Sequence, residues 1–192
     1  MKYKSLEITD EEKDNLKRYC EYEHRYINLL TSGDFQTINK LDDKVINIFS
    51  KEYFEKVMNV LTNVYSAMIK YSYNRNGEMS LYRGTTVAEM RNFKSEYTKL
   101  LSTSTDELSA KWHAGSKVMN RFEDEDDKKA VLMRINTAKD VPFINVNDVL
   151  KDDENNHNSE REIILAPFEK IQKVEHAYSD KGYRYYNVSI EH

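Results

Sequence analysis

The sequence predicts an α+β fold, with helices first and strands after. Two observations carry this. Residues 1–75 contain no proline and a single glycine, Gly33, and their apolar side chains recur at helical spacing. Beyond "NRNGEMS" the pattern changes to short segments rich in β-branched and aromatic residues, punctuated by Gly, Pro, Asn and Asp. A run of helices followed by a run of strands reads as α+β. The length, 192 residues, suits one domain, 1–192, with a helical part at 1–75 and a β-rich part at 76–192.

The first helix begins at "TDEEKDNLKRYCEYEHRYINLL", where Thr9 or Asp10 serves as N-cap and acidic residues fill the first turn. Leu16, Tyr19, Tyr22 or Glu23, and Tyr26 follow on one face, and "TSGDF" breaks the pattern. "FQTINKLDDKVINIF" and "KEYFEKVMNVLTNVYSAMIKYSY" are further amphipathic segments. In the second, Phe54, Val57, Met58, Leu61, Val64, Tyr65 and Met68 form a stripe suited to helix packing.

"MSLYRGTT" is a short strand, "VAEMRNFKSEY" a helical turn, and "TKLLSTSTD" a second strand with a hydroxyl-rich end. "ELSAKWHAGSKVMNRF" is loop plus helix. The acidic run 123–127 is a solvated loop, because clustered like charges repel. "KAVLMRI", "VPFINV", "REIILAPF", "QKVEHAYS" and "RYYNVSIEH" complete the strand series. "NDVLKDDENNHNS" between two of them is long enough for a functional loop.

A net charge of −4 gives no general electrostatic grip on nucleic acid. Cys20 is the only cysteine, so the fold does not depend on an oxidising compartment. No apolar run approaches the ~18 residues of a membrane helix, and "MKYKSLEITD" lacks a signal-peptide apolar region. The expectation is a cytoplasmic protein, or one delivered into a host cell by a route without an N-terminal signal. It is expected to be a monomer without a membrane partner. No His/Cys/Asp cluster has metal-ligand spacing, and His113 and His157 are not candidates, so no metal is expected.

Three features carry chemistry. Arg83, in "LYRG", presents a planar fork suited to pyrophosphate. In "LLSTST", a strand puts Ser102 and Ser104 on one face and Thr103 on the other. In "SEREIIL", a strand would point Glu160 and Glu162 the same way, roughly 6.6 Å apart. Two adjacent carboxylates need a cation between them or a shared proton. A guanidinium or a developing positive sugar meets that need.

In this order and with these flanks, the motifs resemble the mono-ADP-ribosyltransferases of the Arg–Ser–Glu class, especially the bacterial toxin-like exoenzymes. The likeness spans most of the chain. "ITDEEKDNLKRYCEYEHRYIN" is similar to the family's first helix, "LYRG" to its arginine strand, "LLSTS" to its Ser-Thr-Ser strand and "SEREIIL" to its Glu-x-Glu segment. The resemblance implies N-terminal helices packed on two roughly perpendicular, mostly antiparallel sheets that form a cleft for NAD. NAD is then a substrate rather than a resident cofactor. Arg83 anchors its phosphates, Ser102 orients the catalytic glutamate, and Glu162 bonds the ribose and stabilises positive charge on the sugar. Glu160 positions the acceptor and assists its deprotonation. Thr103 and Ser104 complete the Ser-Thr-Ser segment, and residues 151–159 form the target-recognition loop.

An aromatic packing on nicotinamide is expected from Trp112 or His113, with Trp112 favoured. A second phosphate-binding cation is expected from Lys117 or Arg121. Tyr19, His24 and Asn28 fall near cofactor-facing positions, with His24 where a tyrosine is more usual. Glutamate at position 160 resembles the arginine-modifying branch, since a carboxylate pairs with guanidinium better than an amide does. The implied activity is transfer of ADP-ribose to an arginine of a protein target, a glycosyltransferase reaction in a toxin or effector. The alternatives are an NAD glycohydrolase, a nucleic-acid ADP-ribosyltransferase (the less favoured acceptor), and an inactive binding module of the same fold.

Overall fold

The computed structural model describes residues 7–24, 27–28, 51–73, 75, 77–91, 93, 99–118, 129–151, 161–167, 170–180 and 182–191. The expected segment "FQTINKLDDKVINIF", the acidic run 123–127, Arg121, His157 and Glu160 lie outside the described residues. The chain forms two compact units, Met1–Asn74 and Arg75–His192.

In the first unit, α1 (Asp10–Arg18) continues directly into a π-helical turn, Tyr19–Glu23. Thr9 is the N-cap, and the pair closes a capping box: the Thr9 hydroxyl accepts from Glu12 N at 3.2 Å, and Thr9 N donates to Glu12 Oε2 at 2.7 Å. α2 (Lys51–Tyr73) packs on α1. Its buried stripe runs through Val57, Val60, Leu61, Val64, Ala67, Met68 and Tyr71. That is one helical face, displaced from the expected one. Phe54 and Met58 lie on the exposed side, at 45% and 39%.

Glu12 joins the two helices. Its side chain is buried, receives Lys70 Nζ at 2.7 Å and Ser66 Oγ at 2.5 Å, and keeps both Thr9 bonds. Burial pushes its carboxyl up. The Lys70, Ser66 and Thr9 hydrogen bonds outweigh that and bring it from 4.5 down to about 2. A depressed folded-state value gives stability that is complete above about 4.5 and lost as pH falls towards about 2. The linkage is on the order of 3 kcal/mol. Urea unfolding between neutral pH and pH 2 is expected to show this acid limb, and Glu12→Gln is expected to flatten it. An unchanged limb in the variant would place the titration elsewhere.

The second unit holds β1 (Met79–Thr86), α3 (Val87–Arg91), β2 (Leu101–Ser104), α4 (Glu107–Val118), β3 (Ala130–Thr137), β4 (Phe143–Asn145), α5 (Val146–Val149), β5 (Glu162–Leu165), β6 (Lys170–Asp180) and β7 (Tyr183–Glu191). The strands form one hydrogen-bonded sheet in the order β4-β5-β2-β1-β3-β7-β6. All neighbouring pairs are antiparallel except β3 with β7, which are parallel. The join between β2 and β1 is a single residue pair, Tyr82↔Ser104. The described strands join as one sheet, in which β4-β5-β2 and β1-β3-β7-β6 meet at that single pair. Gly182, at φ 84°, turns the chain between β6 and β7.

Alternation builds the core. In β1, Leu81 pairs across from Ile135 and Arg83 from Met133, on a face continued by Val131, Val188 and Ile190. On the other face Gly84 receives α4. A Cβ at Gly84 would collide with the Ala110 carbonyl oxygen and lie 2.6 Å from Ala114 N. Helix backbone thus rests on strand backbone, with Ala110 and Ala114 buried at the contact. The short helix α5 starts at Val146, the last residue of the expected strand "VPFINV", and runs into the stretch expected to be a polar connection. Asn145 caps it, with its side-chain oxygen accepting from Asn147 N at 3.1 Å and Asp148 N at 3.3 Å. Among the described residues no helix is long and apolar enough to cross a membrane.

Candidate active site

The strand-rich unit places Arg83, the Ser102–Ser104 segment and Glu162 on three neighbouring strands, β1, β2 and β5. Arg83 lies on β1, half-buried, next to the single pair that joins the two strand groups. Its Nη1 donates to the Ser102 carbonyl at 2.6 Å, so the guanidinium lies against β2. Among the described residues it makes no ion pair. An arginine fork held by one carbonyl keeps further N–H donors for an anion.

β2 and β5 are locked together. Leu101↔Leu165, Ser102↔Ile164, Thr103↔Ile163 and Ser104↔Glu162 face one another, and the buried Thr103 hydroxyl donates to the Ile163 carbonyl at 2.7 Å. Opposed residues of an antiparallel pair share a face. Glu162, half-buried, therefore lies on the face of Ser104 and Ser102, with Ser104 directly across. The family resemblance assigns Ser102 the task of orienting Glu162. The register sets Ser102 across from Ile164, one step along the same face, and Ser104 across from the glutamate.

β5 starts at Glu162, and Arg161 takes φ 46°. The expected strand "REIIL" is shorter at its N-terminal end. A left-handed residue at 161 interrupts the alternation, so the shared direction of Glu160 and Glu162, with its roughly 6.6 Å spacing, does not follow from a strand. Glu160 lies outside the described residues.

Beyond β2 the chain turns into α4. Asp106 N donates to Ser104 Oγ at 2.9 Å, and Asp106 Oδ2 receives Ser109 N at 3.0 Å and Ser109 Oγ at 2.8 Å. These two Ser109 bonds hold the Asp106 carboxyl below its ordinary value, and the nearby Arg161 charge adds to them. Asp106 is not among the residues that the motifs single out. Its signal is present in "STDELS", where an Asp three residues before a Ser precedes a helix.

Trp112 lies on α4 and is 68% exposed, edge-on to His113 at 5.1 Å. It is two residues from both Ala110 and Ala114, about 200° around the helix from the face resting on Gly84. The helix therefore turns it away from β1, and the structure does not bring it to Arg83, Ser102 and Glu162. Of the alternative cations, Arg121 is outside the described residues. Tyr19 and Asn28 belong to the helical unit, where Tyr19 is fully buried at the start of the π turn and lies edge-on to His24 at 6.4 Å. Among the described residues no group of three His, Cys, Asp or Glu side chains could hold a metal ion.

The sequence matches no family model and no curated protein. Solved structures do match. Vis, a toxin from Vibrio splendidus solved in complex with agmatine, superposes with a TM-score of 0.63 at 16% identity, covering 98% of this chain and 77% of its own. An ADP-ribosyltransferase from Clostridium botulinum gives 0.60 at 10% identity, covering 99% and 90%. The chain has the ADP-ribosyltransferase fold. Exoenzyme S from Pseudomonas aeruginosa, solved with human 14-3-3 protein beta and carba-NAD, shares this fold with a TM-score of 0.57 at 15% identity, covering 94% and 74%. Bacterial toxin enzymes are thus among the solved ADP-ribosyltransferases that this chain resembles in fold.

Proposed function

We propose that this chain is an NAD-dependent mono-ADP-ribosyltransferase whose acceptor is an arginine of a protein. The observation that carries the reading is the placement of Arg83 against Ser102 with Glu162 at the end of the next strand. A cation with no carboxylate partner among the described residues and a half-buried carboxylate flank one hydroxyl-bearing strand. That is the charge pattern a dinucleotide with a cationic nicotinamide needs.

In the proposed reaction the bond between the nicotinamide nitrogen and the ribose carbon breaks, and its electron pair leaves with nicotinamide. The sugar carbon becomes positive on the way. A fixed carboxylate at Glu162 stabilises that charge more than it stabilises the neutral ribose, which lowers the barrier. Arg83 holds the pyrophosphate by charge-assisted bonds. The acceptor guanidinium nitrogen then bonds the ribose carbon and loses one proton, which Glu160 takes. Arginine as acceptor is supported by glutamate at 160 and by the likeness to Vis, whose complex contains agmatine, a guanidinium compound.

The test uses NAD labelled in its ADP-ribose half, with agmatine as acceptor. Labelled agmatine and nicotinamide in equal amounts are expected. Nicotinamide without labelled agmatine would remove the arginine assignment and leave a glycohydrolase. In the same preparation Arg83→Ala is expected to weaken NAD binding by calorimetry about tenfold to a hundredfold, the worth of charge-assisted bonds. Unchanged affinity would reject Arg83 as the phosphate anchor.

A further inference from the structure

The sheet face opposite Arg83 holds a recess of its own. Successive residues of a strand point to opposite faces, so Tyr82 on β1 and Arg134 on β3 project away from the face of Arg83 and Met133. Tyr82 pairs across from Arg134, and Arg134 from Asn187 on β7. One step along, Leu132 lies beside Tyr185, and Tyr185 faces Tyr178 on the outermost strand, β6. These residues line a cavity of about 200 Å³, and Glu107, the first residue of α4, lines it too.

The recess sets a stacking surface beside a cation. The Tyr178 and Tyr185 rings stack at 4.2 Å with 14° between their planes. Tyr178 remains 54% exposed, which leaves ring surface for a ligand. Lys111 Nζ lies 5.7 Å from the Tyr185 ring centre and pairs with Glu107 at 2.7 Å. Lys111 thus compensates Glu107. Arg134 is exposed and makes no ion pair among the described residues, so its charge is the one left over.

The ligand that suits this pattern is a flat ring bearing an anion. An arginine fork takes phosphate through paired, charge-assisted bonds. A nucleobase stacks on an aromatic side chain whatever its identity. A neutral sugar would leave Arg134 unmatched. Size narrows the choice further: about 200 Å³ is below the ~300–1,000 Å³ of sites that enclose a drug-sized ligand, so the recess takes one base and its phosphate rather than a whole dinucleotide.

We infer that this recess is a second binding site, for a single nucleotide unit, with its base on Tyr178 and its phosphate on Arg134. A free mononucleotide and one residue of a nucleic-acid strand offer the same chemistry. The site does not depend on the proposed reaction at Glu162.

The experiment is calorimetry with AMP, in the wild-type chain and again with Arg83→Ala, which removes the proposed NAD anchor. Both are expected to bind AMP with a Kd below about 1 mM. In either background Arg134→Gln and Tyr178→Ala are each expected to weaken binding about tenfold or more. Tyr178→Phe keeps the ring and is expected to stay within about twofold. Both side chains are exposed, and an unchanged thermal midpoint checks that the variants fold. Adenosine and inorganic phosphate are each expected to bind at least about tenfold more weakly than AMP, since each uses half of the site. A short oligoadenylate that binds more tightly than AMP assigns the unit to a strand, and equal or weaker binding assigns it to the free nucleotide. No AMP binding in Arg83→Ala, or binding there that ignores both Arg134→Gln and Tyr178→Ala, overturns the inference. Nicotinamide release is expected to be unchanged in Arg134→Gln. If the wild-type protein releases none, the proposed function fails, and the AMP comparison still decides this site.

Discussion

Replacing Glu162 with glutamine is expected to lower nicotinamide release from NAD on the order of a thousandfold and leave the fold intact. The size follows from what the substitution removes. A fixed group facing charge that develops in the transition state is worth about a hundredfold to a thousandfold when only a hydrogen-bond donor is lost. Here a full charge opposite a positive sugar is lost, on the order of 4 kcal/mol of barrier. The fold survives because Glu162 is the first residue of β5 and half-buried, while Ile163, Ile164 and Leu165 carry the packing. The Thr103–Ile163 bond and the β4 pairing do not involve its side chain. Turnover is measured by nicotinamide release, and folding by circular dichroism and the thermal midpoint. Activity within tenfold of wild type in a folded Glu162→Gln protein would remove this residue from the chemistry.

What could be read from the sequence follows from how local each feature is. The bounds of β1 match "MSLYRGTT" to the residue, because alternation and the surrounding loop residues are local signals. Thr9 as N-cap is local in the same way. A convergence of Arg83, the Ser-Thr-Ser strand and Glu162 is what the family likeness implies, and the sheet order sets β1, β2 and β5 side by side.

The features that escape a sequence reading depend on partners far along the chain. Whether Ser102 or Ser104 faces Glu162 depends on the register of β2 against β5, about 60 residues apart, and a shift of two residues preserves the pattern of faces. The left-handed backbone at Arg161 is held by Thr105, on another strand's end. Trp112 faces outward because Ala110 and Ala114 are the residues that fit Gly84, a contact between α4 and β1 that neither segment reveals alone. Similarly, Phe54 and Met58 fit a helical stripe by spacing, yet the buried stripe of α2 lies through Val57, Val60 and Val64.

The contact at Gly84 gives the second large effect, this time on stability. Gly84→Ala adds one methyl group, and the atoms it meets are the carbonyl oxygen of Ala110 and, at 2.6 Å and 2.9 Å, the amide nitrogen of Ala114 and the carbonyl carbon of Ala110. These are helix backbone atoms, which cannot swing aside as a side-chain tip can. Relief requires α4 as a whole to lift from β1. That uncovers Ala110 and Ala114 and loosens the helix that starts after Asp106. Overpacking against neighbours that cannot yield costs about 3 kcal/mol, or roughly 10 °C in the thermal midpoint for a chain of this size. Urea unfolding with an unchanged m-value is expected to show it as a lower midpoint. Gly77 gives the control, since a Cβ there meets nothing within 4 Å, and Gly77→Ala is expected to be close to neutral. If Gly84→Ala proved as mild as Gly77→Ala, α4 could not be resting on β1 backbone to backbone. The outward direction of Trp112 and the anchoring of the Asp106 turn would then both lose their support.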